Sequence, residues 1–208
     1  MAPLRRLGIV LFALTAALGV HVAEAAAPAV NAALVSTDDM SLGNPKAKVT
    51  VVEYGSASCP HCAEFSNTTF QAFKAKYVDT GKVRYVFREM LTPPNDFAAA
   101  GFMAARCGGP AKYFPFLEAL YAAQMDIYKS GDTQAGLRKV AHAQGLTDEQ
   151  LNACIFDQQA LNALNKRLAK ADDEGVNATP TFVIGTKRLL GVQTLAQLSD
   201  AVDAALAK

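Results

Sequence analysis

Two thiols three positions apart, Cys59 and Cys62 in the stretch Cys59-Pro60-His61-Cys62, can close a reversible disulfide, and the turn that carries them decides how readily it opens. Val51-Val52-Glu53-Tyr54 reads as the end of a buried strand and Ala63 to Tyr77 as a helix, so the thiols fall at a strand-to-helix turn. Cys59 then occupies the N-cap or first turn, where unpaired backbone N–H groups and the positive helix end favour a thiolate. Pro60 stiffens the turn without removing a needed N–H, and His61 adds charge or a hydrogen-bond donor. Cys62 lies one turn further in as the less exposed, resolving thiol, leaving Cys59 to meet other proteins.

The size of the effect sets the direction of the chemistry. A free thiol titrates near about 8.5, and helix-terminal or His-paired cysteines fall to about 3.5 to 7.5. With Cys59 at about 4 to 5, the reduced form gains about 3 to 4 kcal/mol at neutral pH, equivalent to about 60 to 90 mV. The gain is present above the depressed pKa and vanishes as pH falls through it, so the bridged form is a strong oxidant. Two blander readings fit the same spacing. Half of a zinc site needs two further ligands, but Cys107 and Cys154 stand alone and His142 has no close companion. A purely structural bridge closes so short a loop that chain entropy stabilises it little.

The elements around the pair alternate. Lys48 to Tyr54 forms a first strand, Gly81 marks the helix exit, and Val83-Arg84-Tyr85-Val86-Phe87 forms a second strand of the same sense across the crossover. From Asn95 to Glu174 the pattern becomes helical, broken at Gly108-Gly109-Pro110, Gly131 and Gly145. Phe97, Ala100, Gly101 and Ala104 share one face, Leu117, Leu120 and Tyr121 a second, Leu151 and Ile155 a third, and Leu161, Leu164 and Leu168 a fourth. These stripes exceed what one sheet can cover, so the helices pack on each other. Thr147 with Gln150 and Thr194 with Gln197 read as capping boxes. Thr181 to Ile184 and Lys187 to Leu190 flank a hairpin turn at Gly185-Thr186, and Thr194 to Leu206 closes the chain as a helix. Asp172-Asp173-Glu174 opposes the helix dipole and reads as a solvated loop edge.

At 208 residues the chain holds one core with an insertion, or two small domains at most. Arg5 and Arg6 precede an apolar run from Leu7 to Val20 and a small-residue cleavage pattern, Ala23-Glu24-Ala25, so residues 1–27 read as a secretory signal. A membrane anchor is the alternative, but the run is shorter than the roughly 20 apolar residues a span needs. Without Arg5, Arg6 and Glu24 the 20 basic and 19 acidic residues come into balance, which argues against nucleic acid as the main partner. Four cysteines in an oxidising compartment allow two bridges. Residues 28–41, Ala-rich at first, read as a flexible leader.

The chain resembles the DsbA-like thiol:disulfide oxidoreductases of the thioredoxin superfamily. The resemblance runs from Leu42 onward and rests on Leu42-Gly43-Asn44-Pro45, Cys59-Pro60-His61-Cys62, the long helical insertion, and Ala178-Thr179-Pro180-Thr181-Phe182-Val183-Ile184-Gly185. It implies an α/β thioredoxin fold in two pieces, 42–94 and 175–208, with an inserted helical subdomain at 95–174. It implies a cis Pro180 facing the disulfide, where sequence alone favours an ordinary loop proline, and a Thr179 backbone that pairs with a substrate strand. Glu53 matches a buried acid beneath the active site that tunes the inner thiol, against the alternative of a surface glutamate at a strand end. Some members carry a second disulfide in the insertion. Cys107 and Cys154 fall on inward stripes there, either as buried free thiols or as a bridge worth about 4 kcal/mol of chain entropy.

The implied activity is a periplasmic, monomeric dithiol oxidase acting on reduced or unfolded exported proteins. It needs no metal or organic cofactor and is reoxidised by a membrane quinone-linked partner resembling DsbB. Two positions depart from the family's best-known member, which has an acid at the position of Ser66 and valine at that of Thr179. Threonine there is closer to the isomerases and reductases, although isomerases of that kind carry an N-terminal dimerisation domain that Pro28 to Ala47 is too short to form. A client-binding module that uses the groove near Pro180 without turnover is the reading from another class.

Overall fold

The computed structural model describes residues 35–208; the expected secretory signal at 1–27 and the first part of the expected leader lie outside the described residues. Five strands, β1 (Met40–Leu42), β2 (Val49–Gly55), β3 (Val83–Glu89), β4 (Thr181–Ile184) and β5 (Lys187–Leu190), form one mixed sheet in the order β1-β3-β2-β4-β5. β2 and β3 run parallel with Glu53 opposite Phe87, and β4 pairs antiparallel to β2 with Phe182 opposite Glu53. β2 is central and covered on both faces, hence the unbroken buried run from Val51 to Gly55. Alternation sorts its side chains: Val51 faces Phe65, Phe70 and Phe73, whereas Val52 and Tyr54 pack with Val86, Val183, Ala171 and Val176 on the other side.

Helix α1 (60–78) makes the crossover. It begins as Pro60–Phe65 and includes two π-helical stretches, Ser66–Phe70 and Lys74–Val78. The wider turn keeps residues five apart on one face, so Phe65 and Phe70 both reach the core with ring centroids 6.2 Å apart. Five helices follow between β3 and β4: α2 (Asn95–Cys107), α3 (Pro110–Ser130), α4 (Thr133–Ala143), α5 (Asp148–Ile155) and α6 (Gln158–Asp173); α7 (Leu195–Leu206) ends the fold. Gly131, at φ 74°, caps α3, and both capping boxes form, at Thr147 with Gln150 and at Thr194 with Gln197. Gly101 lets α2 approach closely: a Cβ there would lie 2.8 Å from Leu120 and 3.1 Å from Ala57.

Two expectations are corrected. The expected flexible leader is ordered at residues 39–41, since Met40 and Ser41 pair with Phe87 and Val86 as part of β1, and Asp39 forms an ion pair with Arg88. Glu174 is not a solvated edge either. Asp172 and Asp173 are exposed, but Glu174 turns inward to take the Arg88 guanidinium at 2.6 Å and the Tyr54 hydroxyl at 2.5 Å. A cation from β3 therefore outweighs the unfavourable helix dipole. One residue on, Glu89 is buried and accepts from Arg106 and Arg167, each at 2.6 Å, and from Tyr113 at 3.1 Å, fastening the end of β3 to α2, α3 and α6.

Cys107 and Cys154 are bridged with Cα atoms 5.8 Å apart, joining the end of α2 to α5 across 47 residues of chain. Replacing both with serine removes the closed loop from the unfolded state. Urea unfolding of the pair variant is expected to show a loss of up to about 4 kcal/mol with the fold retained; no loss would mean that restricting the unfolded chain gives the fold no net stability.

Candidate active site

The site is built where β2 ends. Beyond Gly55 the chain runs through Ser56, Ala57 and Ser58, all fully buried, and Cys59 is the extended N-cap of α1 at φ −77° and ψ 121°, with Pro60 in the first turn. The serine hydroxyls turn away from the sulfurs: Ser58 Oγ donates to the Thr92 carbonyl at 2.5 Å, and Ser56 Oγ accepts the Thr92 N–H at 3.1 Å. This ties the loop to the segment after β3. Opposite stands the turn into β4, where Thr179–Pro180 is cis and Pro180 is buried. The Thr179 carbonyl lies 3.4 Å from Cys59 Sγ and accepts its S–H in the neutral form.

Cys59, Pro60, His61, Cys62, Thr179 and Pro180 thus converge, and Glu53 lies beneath them, 2 % exposed on β2. Both active-site sulfurs are unbridged. Cys62 has no exposed surface, whereas Cys59 keeps 6 %. Cys107 and Cys154 lie apart, on α2 and α5. Among the described residues no three His, Cys, Asp or Glu side chains stand together as metal ligands.

The electrostatics separate the two thiols. Cys59 falls to about 5, mainly because the Cys62 thiol donates to its thiolate; burial opposes this, and the Thr179 side chain and the backbone N–H groups of Cys62 and His61 add to it. From the spacing alone the helix end comes first, with His61 as a charge or a hydrogen-bond donor. In the structure the helix end contributes less than the partner thiol, and exposed His61 acts through its backbone. Cys62 moves the other way, well above the ordinary thiol range, through burial, its bond to Cys59 and the nearby Glu53 charge. Glu53 rises to about 8 because it is buried; the Tyr85 hydroxyl, which donates to its carboxylate, lowers it, and the Cys59 charge raises it. The inner acid is therefore largely neutral at pH 7.

Sequence reasoning missed Tyr85, Tyr121, Gln124 and Tyr128. The first is a core strand residue whose hydroxyl meets Glu53 across the parallel register, and the others carry polar atoms on the buried stripe of α3. The one available signal was Gln124, a polar residue on that stripe.

Among solved structures, alpha-DsbA1 of Wolbachia pipientis superposes with a TM-score of 0.75 at 27% identity, covering 84% of this chain and 94% of that one. A thioredoxin-like oxidoreductase from Silicibacter pomeroyi gives 0.66 at 33% identity, covering 83% and 95%. A Rickettsia conorii chain that carries the provisional name protein-disulfide oxidoreductase is 36% identical over 180 residues, 83% of this chain. The chain spans only 62% of that relative's length. The family model described as thioredoxin matches residues 35–204, from the first described residue through nearly all of α7. The chain therefore belongs to the thioredoxin family, and its fold is that of the DsbA-like proteins within it.

Proposed function

We propose that the protein is an exported thiol:disulfide oxidoreductase that donates the Cys59–Cys62 disulfide to reduced client proteins in the periplasm. The observation that carries this reading is the split between the sulfurs, Cys59 lowered to about 5 and Cys62 raised well above the ordinary range. A client thiolate attacks Cys59 Sγ; the bond to Cys62 breaks and its electron pair goes to Cys62 Sγ, which takes a proton from neutral Glu53. The client is now joined to Cys59. Its second thiolate attacks the client sulfur of that mixed disulfide, and Cys59 departs as a thiolate. Two electrons have passed from client to protein. The low pKa of Cys59 makes it a good leaving group in the second step.

The Thr179 backbone, at the turn into β4 beside Cys59, offers an edge on which an extended client strand can pair. A quinone-linked membrane protein resembling DsbB fits as the acceptor of the electrons, and the protein acts as a monomer. All the redox chemistry stays on sulfur, so the reaction calls for no metal or organic cofactor.

Equilibration against glutathione tests the direction. The oxidised protein is expected to pass its disulfide to a reduced, unfolded substrate in one turnover per molecule and to leave a scrambled substrate unshuffled, while Cys59→Ser oxidises no substrate. A reducing poise, or efficient reshuffling of the scrambled substrate, would replace the oxidase by an isomerase or reductase.

A further inference from the structure

Three side chains on one stripe of α3 hold three consecutive carbonyls of the loop that leads to Cys59. Tyr121 Oη donates to the Ser56 carbonyl at 3.0 Å, Gln124 Nε2 to that of Ala57 at 3.0 Å, and Tyr128 Oη to that of Ser58 at 2.6 Å. Spacings of three and four residues place all three donors on the same helix face. Gln124 is 2 % exposed and Tyr121 4 %, so each polar group would be costly there without its carbonyl. Neighbours fix the clasp from both sides: the Phe97 ring meets Tyr128 edge-on at 5.8 Å, and Asn67 on α1 donates to the Tyr121 carbonyl at 3.2 Å.

The clasp has an electrostatic consequence for the sulfur. In a trans peptide the C=O and the following N–H point in opposite directions. Turning the carbonyls of Ala57 and Ser58 toward α3 draws their negative ends into the helical layer, and the Ser56 carbonyl takes both the Tyr121 hydroxyl and the Cys59 N–H, the latter at 3.1 Å. The last of these peptides along the chain, that of Ser58, sets the φ of Cys59, and so its N-cap geometry. Released, the Ser58 carbonyl could swing toward the adjacent thiolate, where its dipole would repel the charge. The titratable groups around Cys59 are Cys62 and His61 on α1, Glu53 on β2 and Tyr128 on α3. Tyr128 is itself pushed up to about 12, by burial and by the Cys59 charge, so it stays a neutral donor at every pH where the thiol titrates.

We infer that Tyr121, Gln124 and Tyr128 are positioning residues for the Cys59 thiolate, and that through them the helical layer, rather than the thioredoxin sheet alone, sets the redox poise of the dithiol. The inference rests on the thiolate reading of Cys59 proposed above.

The test compares Tyr128→Phe and Gln124→Leu, which remove a donor and keep the bulk, with Ile127→Ala on the same helix, whose parent side chain is buried but cannot bond a carbonyl. The Cys59 pKa is read from thiolate absorbance, the equilibrium constant against glutathione from the same samples, and stability from urea unfolding. Tyr128→Phe and Gln124→Leu are each expected to raise the Cys59 pKa by about one unit and to make the disulfide about tenfold less oxidising, about 30 mV, with the double variant moving further. Ile127→Ala is expected to lose stability without moving either value. If the parent titrates low and both donor variants match it, the clasp only holds the layers together and the inference falls alone. A parent thiol in the ordinary range would remove the thiolate reading and the inference with it.

Discussion

Between pH 7 and pH 5 the reduced protein is expected to lose about 2 kcal/mol of stability relative to its oxidised form when the two are unfolded in urea side by side. Cys59 titrates at about 5 when folded and in the ordinary thiol range when unfolded. A group whose pKa is depressed by folding stabilises the native state above its unfolded value and loses that benefit as pH falls through the folded one. Two units separate pH 7 from the folded value, which before solvent screening corresponds to about 2.7 kcal/mol; Cys59 keeps a small exposed edge, and screening there trims it. The oxidised form has no such proton to lose, so it supplies the reference. Glu53 titrates in both forms and cancels, apart from the share that it owes to the Cys59 charge. In redox terms, two powers of ten at pH 7 make the disulfide more oxidising by about 60 mV. A flat difference across this window, or a midpoint above neutrality, would mean that Cys59 keeps its proton and that the pair has no driving force of this origin.

Much of the framework was legible because it is local. The turn at Gly185-Thr186 between two short β-prone runs gives the β4–β5 hairpin at the expected residues, and the Thr-x-x-Gln pairs cap α5 and α7. The Cys-x-x-Cys spacing before a helical run places one sulfur at the N-cap and the other one turn inside. What could not be read depends on pairings across long separations. Three-residue β1 has no periodicity to detect and exists through its register with β3. Glu174 turns inward because Arg88, 86 residues earlier in the chain, awaits it. The cause of the Cys59 shift was misordered for a similar reason: a helix end is visible in sequence, whereas the direction of the Cys62 S–H depends on how deeply burial prevents that thiol from ionising. The clasp on the active-site carbonyls hides among core positions, since a tyrosine on an apolar stripe looks like packing until its hydroxyl is located.

Glu53→Gln is expected to stabilise the protein and slow it at once. Folded Glu53 holds its proton up to about 8, whereas an unfolded glutamate ionises near the ordinary value of 4.5. Over that interval the native state binds the extra proton, so the parent loses stability as pH rises, reaching a deficit of about 3 kcal/mol at pH 7 for a fully buried acid. Glutamine keeps the size of the side chain and an oxygen to accept from Tyr85, and it has no proton to bind. The variant should therefore match the parent near pH 4, exceed it by about 2 to 3 kcal/mol at pH 7, and show a flatter stability profile in urea. The cost falls on the chemistry. On the proposed route Cys62 leaves the disulfide as a buried thiolate with a high proton affinity, and its proton comes from the neutral carboxyl of Glu53, close enough for its charge to raise that thiol; glutamine cannot supply that proton. Stopped-flow oxidation of a dithiol client at neutral pH is expected to slow about 100-fold, the lower end of what a positioned acid contributes. The two effects have the same origin, a carboxyl kept neutral by burial. If the variant shows the parent's stability profile, that carboxyl is ionised in the folded protein, and the proton for Cys62 must come from elsewhere.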